Sequence, residues 1–483
     1  MDRATELGKV FRQARRYMHE GVDLKFSRPL DGFREFAAEA VDTLYRHIGQ
    51  ADDYYASVAG EVIPRLFAVD VTTGYSFFHD PEALAKIWDI YNTATAIVAG
   101  KVNARRQFRK TRPYKVAFVS SMFSDYIAPA KAIANFALHV DRAKFTPLMV
   151  VTNQAHTMER RSGYSVVPFS QMKLGKQLLE NDIDIIGLPP QDNLPTLAQQ
   201  LIELCFQFEV DMVVTNASPF SFPEACLARS GMVGSFFDMH RGFPLYVDGI
   251  DAILHWVAGT REKQLGLWMS KGGKVIDYHD GIAVPPLPEK WPSRQPGIVR
   301  FVTVSNYIEQ RFSPEFCDVV SRVMRECPQT TYRIIGGCAV EEVKKRFAAE
   351  VRSRLEFTGP VQGADALQEH FLASDIYLNE FPVSGVRVCL EAMCACLPVV
   401  TMKCGDLHVN ATSVEHVGSF AILENNPQRY YELAVRLVKD EAFRRQAGQD
   451  LRRRMETEYD YKVTLHDLAE KLLAVHEAKM ATC

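Results

Sequence analysis

The chain has 483 residues, 47% of them hydrophobic and 24% charged, with a formal net charge of −3. At ~150 residues per domain this length predicts about three domains. The near-neutral balance argues against a dedicated nucleic-acid binder, which carries a clear basic excess. No apolar run reaches the ~18 residues of a membrane span, and the charged, amphipathic start of the chain predicts no secretory signal.

The first part of the chain has the apolar spacing of helices. Segments 33–48 and 81–108 show this most clearly, and Pro81 after Asp80 is typical of a helix start. We therefore predict an all-helical N-terminal domain at residues 1–111. The residues leave open whether this domain forms a homodimer, docks an acceptor or braces the remaining domains.

From residue 112 the pattern changes to short apolar strands that alternate with helices. Such strands are typical of a parallel sheet covered on both faces. The sequence thus predicts an N-terminal Rossmann-like domain at residues 112–283. Its predicted strands are 115–121, 145–153, 183–188, 211–216, 232–237, 252–258 and 274–278.

A proline-rich stretch follows, with five prolines between residues 283 and 297. It cannot form a regular helix or a central strand, so we interpret residues 284–298 as an interdomain linker. A C-terminal Rossmann-like domain is predicted at residues 299–483. Its predicted strands are 299–304, 330–337, 354–359, 374–381, 397–402 and 418–423.

The predicted fold class is α/β, with two facing, doubly wound Rossmann-like domains after the helical domain. Open parallel sheets bind ligands beyond the carboxyl ends of their strands. We therefore expect a ligand cleft between the two Rossmann-like domains.

The most informative segment is 377–402, YLNEFPVSGVRVCLEAMCACLPVVTM, which reads as strand, turn, helix, turn and strand. Ser384 and Gly385 stand near the start of the helix, where a glycine lets a ligand approach the backbone. The first helical turn offers N–H groups and the positive end of a dipole, which suit a phosphate. Glu391 follows roughly 9–10 Å along the axis and could bind a ribose. The alternative is a plain crossover in which Glu391 only pairs with Arg387.

This C-terminal half resembles the GT-B glycosyltransferases. LEAMCACLPVVT (390–401) is similar to a helix and strand of the large retaining family that uses nucleotide sugars. The resemblance is closer to the inverting protein glycosyltransferases, namely O-GlcNAc transferase and the bacterial adhesin N-glycosyltransferases, which also include members with a helical N-terminal domain. It rests on 115–129, on RFSPEF (311–316) with Arg311 in the family's lysine position, and on FPVSG followed by KCGDLH (403–408).

The sequence also departs from these families. The first glutamate of the retaining family falls at Val383, and the polar donor loop of the protein glycosyltransferases is replaced by residues 383–385. The histidines that O-GlcNAc transferase has in its first loop are absent. The acceptor and the stereochemistry of transfer therefore stay open.

The resemblance implies a nucleoside-diphosphate sugar as co-substrate, with UDP as the expected carrier. Arg311, the helix start and His408 would hold the diphosphate, and the turn after strand 354–359 would hold the base. For each residue the alternative is an ordinary structural role, as a surface arginine, helix cap, turn or strand edge. The predicted donor-binding residues are Arg311, Val361, Gln362, Glu380, Ser384, Gly385, Glu391 and His408.

An inverting transfer also needs a base near the attacking group. The candidate catalytic residues are Asp238 and His240, in loop 236–249, and Asp125, in loop 122–129. Such residues are common in turns, so a structural role is the alternative for each. We expect no metal and no further cofactor, because no DxD-like motif stands out and an arginine with a helix start can stabilise the leaving diphosphate.

The sequence thus predicts a cytoplasmic, metal-independent glycosyltransferase of bacterial type, with a protein or peptide acceptor and no nucleic-acid or membrane partner. Its ten cysteines include no paired CxxC motifs and are interpreted as reduced thiols of a cytosolic protein. Two alternatives are a non-catalytic partner or adaptor of a transferase and a nucleotide-sugar epimerase.

Overall fold

The computed structural model describes most of the chain, and the chain forms two compact units. The first unit holds residues 1–256, 261–278 and 465–483, and the second holds residues 279–464. The description leaves out residues 1, 24–30, 74–79, 103–110, 122, 126–127, 153–167, 190, 192, 217–220, 239–246, 256–260, 280, 292–294, 306, 362, 405–407 and 483.

The first unit opens with the predicted helices. Asp80 caps the last of them by accepting a hydrogen bond from the Glu82 N–H, with Pro81 at the first helical position, as predicted. Their apolar faces form one continuous core with the sheet that follows. In the described residues these helices are α1 (Arg3–Asp23), α2 (Phe33–Arg46), α3 (Asp53–Thr73) and α4 (Pro81–Ala99).

The described residues of the first unit contain a seven-stranded sheet in which all neighbouring strands are parallel. The strand order is β3-β2-β1-β4-β5-β6-β7, so it reverses between β1 and β4. The strands are β1 (Tyr114–Ser120), β2 (Phe145–Val151), β3 (Ile185–Gly187), β4 (Met212–Thr215), β5 (Gly234–Asp238), β6 (Ala252–His255) and β7 (Val275–Asp277). The accompanying helices are α5 (Ala128–His139), α6 (Lys173–Glu180), α7 (Leu194–Gln207), α8 (Phe222–Arg229) and α9 (Arg261–Ser270).

The second unit repeats this plan on a smaller scale. Its described strands form a parallel sheet of order β10-β9-β8-β11-β12, which reverses between β8 and β11. Two apolar clusters pack around it. The strands are β8 (Val299–Val304), β9 (Thr330–Ile335), β10 (Leu355–Gly359), β11 (Ile376–Leu378) and β12 (Val399–Val400).

Nine helices are assigned from residue 308 onwards in the part of the chain that the structure describes. They are α10 (Ile308–Arg311), α11 (Pro314–Glu326), α12 (Val340–Lys345), α13 (Ala364–Leu372), α14 (Arg387–Cys394), α15 (His408–Val417), α16 (Pro427–Lys439), α17 (Glu441–Arg454) and α18 (Tyr461–Thr482). The end of α18 belongs to the first unit, where Lys479 Nζ lies 2.9 Å from Asp251 Oδ2, just before β6.

Two predicted elements were wrong. Residues 418–423 form a short 3₁₀ turn and a single bridge to Met402 instead of a strand. Gly418 has a φ of 66°, which turns the chain out of an extended path. The apolar spacing of residues 340–354 likewise predicts a single helix. That helix ends at Lys345, because the chain bends there to bury Phe347 and Val351 in the core.

One carboxyl group lies inside the first unit. Glu224, in the first turn of α8, is 1% exposed, and one of its oxygens accepts a hydrogen bond from the Ser221 hydroxyl. Burial raises the pKa of Glu224 from 4.5 to about 7, against the opposing effect of the Ser221 hydrogen bond. The buried Tyr91 and Cys226 are close enough to feel its charge.

The raised pKa of Glu224 makes the stability of the first unit depend on pH. The folded chain holds this proton more tightly than the unfolded chain, so the group favours folding most below about pH 4.5. The contribution of Glu224 to the free energy of unfolding falls as the pH rises from about 4.5 to about 7 and is constant above that. The total loss is on the order of 3 kcal/mol. We expect Glu224→Gln to remove this loss, as urea unfolding of both proteins at pH 5 and pH 8 would measure. Equal pH dependence in the two proteins would contradict the assignment.

Candidate functional site

The point where the strand order of the second sheet reverses brings two loops together. Open parallel sheets bind ligands at such a point, beyond the carboxyl ends of the strands. Strands β8 and β11 are neighbours there, and they lead into loops 305–313 and 379–386. Among the described contacts that join these loops, Arg311 Nη1 lies 2.9 Å from Glu380 Oε1 and the Ser313 hydroxyl donates to the Phe381 carbonyl at 2.8 Å.

The sequence around Arg311 explains its position. The short helix α10 ends at Arg311, and Ser313 then caps α11 by accepting a hydrogen bond from the Phe316 N–H at 3.0 Å. Pro314 stands at the first helical position, as a Ser–Pro pair of this kind predicts. The guanidinium lies 5.5 Å from the ring centre of Tyr307, and the side chain of Arg311 is 17% exposed.

Glu380 is the buried half of the Arg311 ion pair. Its side chain has no exposed surface, and the residue follows β11 closely, in loop 379–386. Burial raises the pKa of Glu380, and the charge of Arg311 and the hydroxyl of Ser305 oppose this shift. The pair therefore places one fixed cation and one fixed carboxyl at the carboxyl edge of the sheet.

The loop that precedes α14 is held by a buried network of side chains. Asn379 Oδ1 accepts from the Gly385 N–H at 3.1 Å, and Asn379 Nδ2 donates to Thr401 Oγ1 at 3.0 Å. Ser413 Oγ lies 3.4 Å from Thr401 Oγ1 and 2.8 Å from Ser384 Oγ. The network fixes the path of the backbone from the end of β11 to the start of α14.

Ser384 and Gly385 therefore differ in what they offer to a ligand. The Ser384 hydroxyl is buried and bonded to Ser413, so its side chain supports the loop. Helix α14 begins two residues after Gly385, and the residue at its N-cap, Val386, has no side chain that could cap the helix. The first turn of α14 thus has no side-chain cap from that position.

Glu391 lies in the second turn of α14 and is half-buried. Four residues earlier, Arg387 donates to the Tyr461 hydroxyl at 2.8 Å. Glu391 thus lies one helical turn beyond the start of α14, on the same helix that follows the loop of Glu380.

The other predicted donor residues are less fully described. Val361 follows β10 and packs partly against the core, and His408 is the first residue of α15. The side chain of His408 lies outside what the structure describes, and Gln362 lies outside the described residues altogether. Their roles at a nucleotide stay predictions.

The predicted catalytic residues belong to the first unit. Asp125 follows β1 and accepts hydrogen bonds from the Lys173 and Leu174 N–H groups at 2.9 and 2.8 Å, so it binds the start of α6. Asp238 ends β5, with a side chain that is not described, and His240 lies outside the described residues. These three roles also stay predictions.

Sequence reasoning missed Asn379, Thr401 and Ser413, which position the loop before α14. A signal for two of them was present, because Asn379 and Thr401 are polar residues directly after the apolar strands β11 and β12. Ser413 lies on α15, a helix that the strand pattern did not predict.

The described residues contain neither a metal-binding cluster nor a helix that could span a membrane. No group of His, Cys, Asp and Glu side chains within them is placed to hold a metal ion. Among the helices they contain, none combines the length and the apolar character that crossing a membrane requires.

Comparison with known proteins identifies the fold. Residues 299–440 match the family model described as "Glycosyl transferases group 1". A mutant of Thermobaculum terrenum O-GlcNAc transferase is similar along 99% of both chains, at 13% identity and a TM-score of 0.59. A glycosyltransferase from Rickettsia africae is similar over 76% of this chain and 99% of its own, at 12% identity and a TM-score of 0.55.

Sucrose-phosphate synthase from Thermosynechococcus elongatus is a third similar structure, over 76% of this chain and all of its own, at 13% identity and a TM-score of 0.53. No curated protein matches the sequence. The chain therefore has the GT-B glycosyltransferase fold, which confirms the predicted fold class. The family match within the second unit supports sugar transfer as its activity.

The loop network makes a prediction for Asn379. Replacing Asn379 with Ala leaves the buried Gly385 N–H without its acceptor, which costs about 1–3 kcal/mol. We expect urea unfolding of the second unit to show a loss of this size, and amide exchange to become faster in residues 379–386. An Ala variant as stable as the wild type would show that the network does not hold the loop.

Proposed function

We propose that this chain transfers a sugar from a nucleoside-diphosphate sugar, carried by UDP, to a protein or peptide side chain, without a metal ion. The observation that carries the proposal is the reversal point of the second sheet, where Arg311 and the start of α14 stand on neighbouring loops. A diphosphate needs a cation and hydrogen-bond donors, and these two features supply both.

These groups would stabilise the leaving diphosphate. Negative charge builds up on its oxygens as the bond to the sugar breaks. Preorganised donors lower this barrier because they do not have to reorient during the reaction. The ion pair to Glu380 and the contact with Tyr307 hold Arg311 in place, and the network around Asn379 holds the helix start.

The remaining donor contacts follow from the resemblance. Glu391 would accept hydrogen bonds from the ribose, Val361 and Gln362 would meet the base through backbone groups, and His408 would reach the phosphates. Fold similarity to the O-GlcNAc transferase structure is in keeping with a protein acceptor. The cytoplasm is the proposed compartment, since the nine cysteines of the described residues are free thiols.

For the proton acceptor on the acceptor side, we propose Asp238 or His240, because the hydrogen bonds of Asp125 argue against Asp125. Both carboxylate oxygens of Asp125 already bind backbone N–H groups of α6. Accepting a proton would weaken those hydrogen bonds, so Asp125 is better suited to support its loop.

A second candidate function has an observation in its favour. Arg311 and Ser384, two of the predicted phosphate contacts, are both bonded inside the protein, to Glu380 and Ser413. A non-catalytic partner of a transferase would have no need of a free arginine or hydroxyl. Binding of UDP separates the two candidates, because such a partner would bind it poorly or not at all.

We expect Arg311→Met and Glu391→Ala to weaken UDP binding at least tenfold each, because one removes the cation and the other the ribose acceptor. Isothermal titration calorimetry measures this, and hydrolysis of UDP-sugars in the presence of EDTA reports on turnover without metal. Arg325→Met is the matched control, since Arg325 forms an exposed pair with Glu350 in the same unit. Wild-type affinity in the Arg311 and Glu391 variants would reject the site.

The acceptor is tested in cells. Host proteins co-expressed with the wild-type chain should carry a hexose or N-acetylhexosamine adduct in mass spectra, and those co-expressed with Arg311→Met should not. An adduct that persists with the variant would contradict transfer by this site.

A further inference from the structure

We propose that Glu380 is a positioning residue that holds Arg311 for the diphosphate and takes up a proton from solvent when the anionic donor binds. The inference rests on the proposed function and deepens it, because it adds a proton to the binding reaction. Glu380 itself has no exposed side-chain surface and is not expected to touch the sugar.

The geometry leaves both partners incompletely bonded. Arg311 uses Nη1 for Glu380, while its buried Nε has no hydrogen-bond partner among the described residues. Glu380 uses Oε1 for Arg311, and its buried Oε2 accepts no hydrogen bond of ordinary geometry in the described part of the chain, although the Ser305 hydroxyl is near enough to favour the charged form. Such a buried pair is costly unless other groups complete its hydrogen bonds. A phosphate oxygen at the guanidinium and a proton on the carboxyl would satisfy both partners.

The charges around Glu380 determine the direction of the effect. Among the described residues, Arg311 is the cation that opposes the burial of this carboxylate. A diphosphate beside Arg311 adds negative charge close to Glu380 and competes for the same guanidinium. The carboxylate then loses much of its compensation, so its neutral form becomes favoured. A proton from solvent forms an O–H bond on Glu380, and the net charge of the site rises by one.

The other titratable groups that feel Glu380 do not compete for this proton. They are Tyr332 on β9, Tyr377 on β11, Cys389 on α14 and Tyr430 on α16. Burial raises the pKa of each of these groups well above its ordinary value, so all four stay neutral near pH 7. The proton taken up on binding is therefore assigned to Glu380.

The test is calorimetric titration with UDP between pH 6 and pH 8, each pH in two buffers of different ionisation enthalpy. One linked proton makes affinity rise by up to tenfold for each unit that the pH falls. The terminal phosphate of UDP also titrates near this pH range, so the comparison is between wild type and Glu380→Gln. We expect wild-type affinity to rise more steeply than that of the variant, and the buffer-dependent enthalpy to show extra proton uptake in the wild type.

Three variants make the result specific. Glu350→Gln, at the exposed pair with Arg325, should keep the wild-type pH dependence. Glu380→Gln keeps an oxygen for Arg311, so it should bind UDP more tightly than Glu380→Ala, which has none. Circular dichroism checks that each variant folds, and if Glu380→Gln does not, Glu380→Ala takes its place in the comparison of pH dependence.

The outcomes separate this inference from the proposed function. Absence of UDP binding at every pH would reject the donor site itself. Binding with the same pH dependence in wild type and Glu380→Gln, or with no proton uptake beyond that of UDP, would overturn the role of Glu380 and leave the donor site standing.

Discussion

The ion pair between Arg311 and Glu380 is the constraint on which the candidate site depends. Burying a carboxylate in an apolar core is costly, and here the cost is offset by one cation at 2.9 Å. The pair links the loops after β8 and β11, and the Ser313–Phe381 hydrogen bond beside it fixes their spacing. Without it, the guanidinium would lose the carboxylate that holds it at this edge of the sheet.

Sheet topology explains why this pair arises at the reversal point. In a parallel sheet all carboxyl ends lie on one edge, and at the reversal the chains leaving β8 and β11 depart to opposite sides. The space between them is where a ligand can reach both loops. Asn379 completes the arrangement because its short amide bonds the Gly385 N–H, which brings the start of α14 to the same edge.

Much of the fold could be predicted from the sequence, because apolar periodicity records burial. The apolar run 299–304 became β8 with those bounds, and Ser313–Pro314 began a helix as its cap chemistry requires. The failures have physical causes that periodicity does not contain. Residues 418–423 are apolar enough for a strand, yet the positive φ of Gly418 and a single bridge leave them outside the sheet.

The candidate site was predictable in part. Arg311, Glu380 and Gly385 could be named from residue type and position, but their partners could not. That Arg311 meets Glu380, 69 residues later, depends on which strands become neighbours, and local spacing does not record this. The same holds for Ser384, whose place near the helix start is visible in the sequence, whereas its bond to Ser413 is not.

The internal bonding of the site has a consequence for how it would bind an anion. An arginine in solvent loses side-chain conformational entropy when it binds a ligand. Arg311 has already lost this entropy, because its side chain is held by Glu380. Its charge, however, is shared with Glu380 before any ligand arrives. The fixed position of Arg311 therefore favours binding of an anion, whereas the negative charge of Glu380 opposes it. Protonation of Glu380 removes the opposing charge and leaves Arg311 in place. A surface arginine paired with an exposed glutamate, such as Arg325 with Glu350, lacks this coupling because solvent screens both charges.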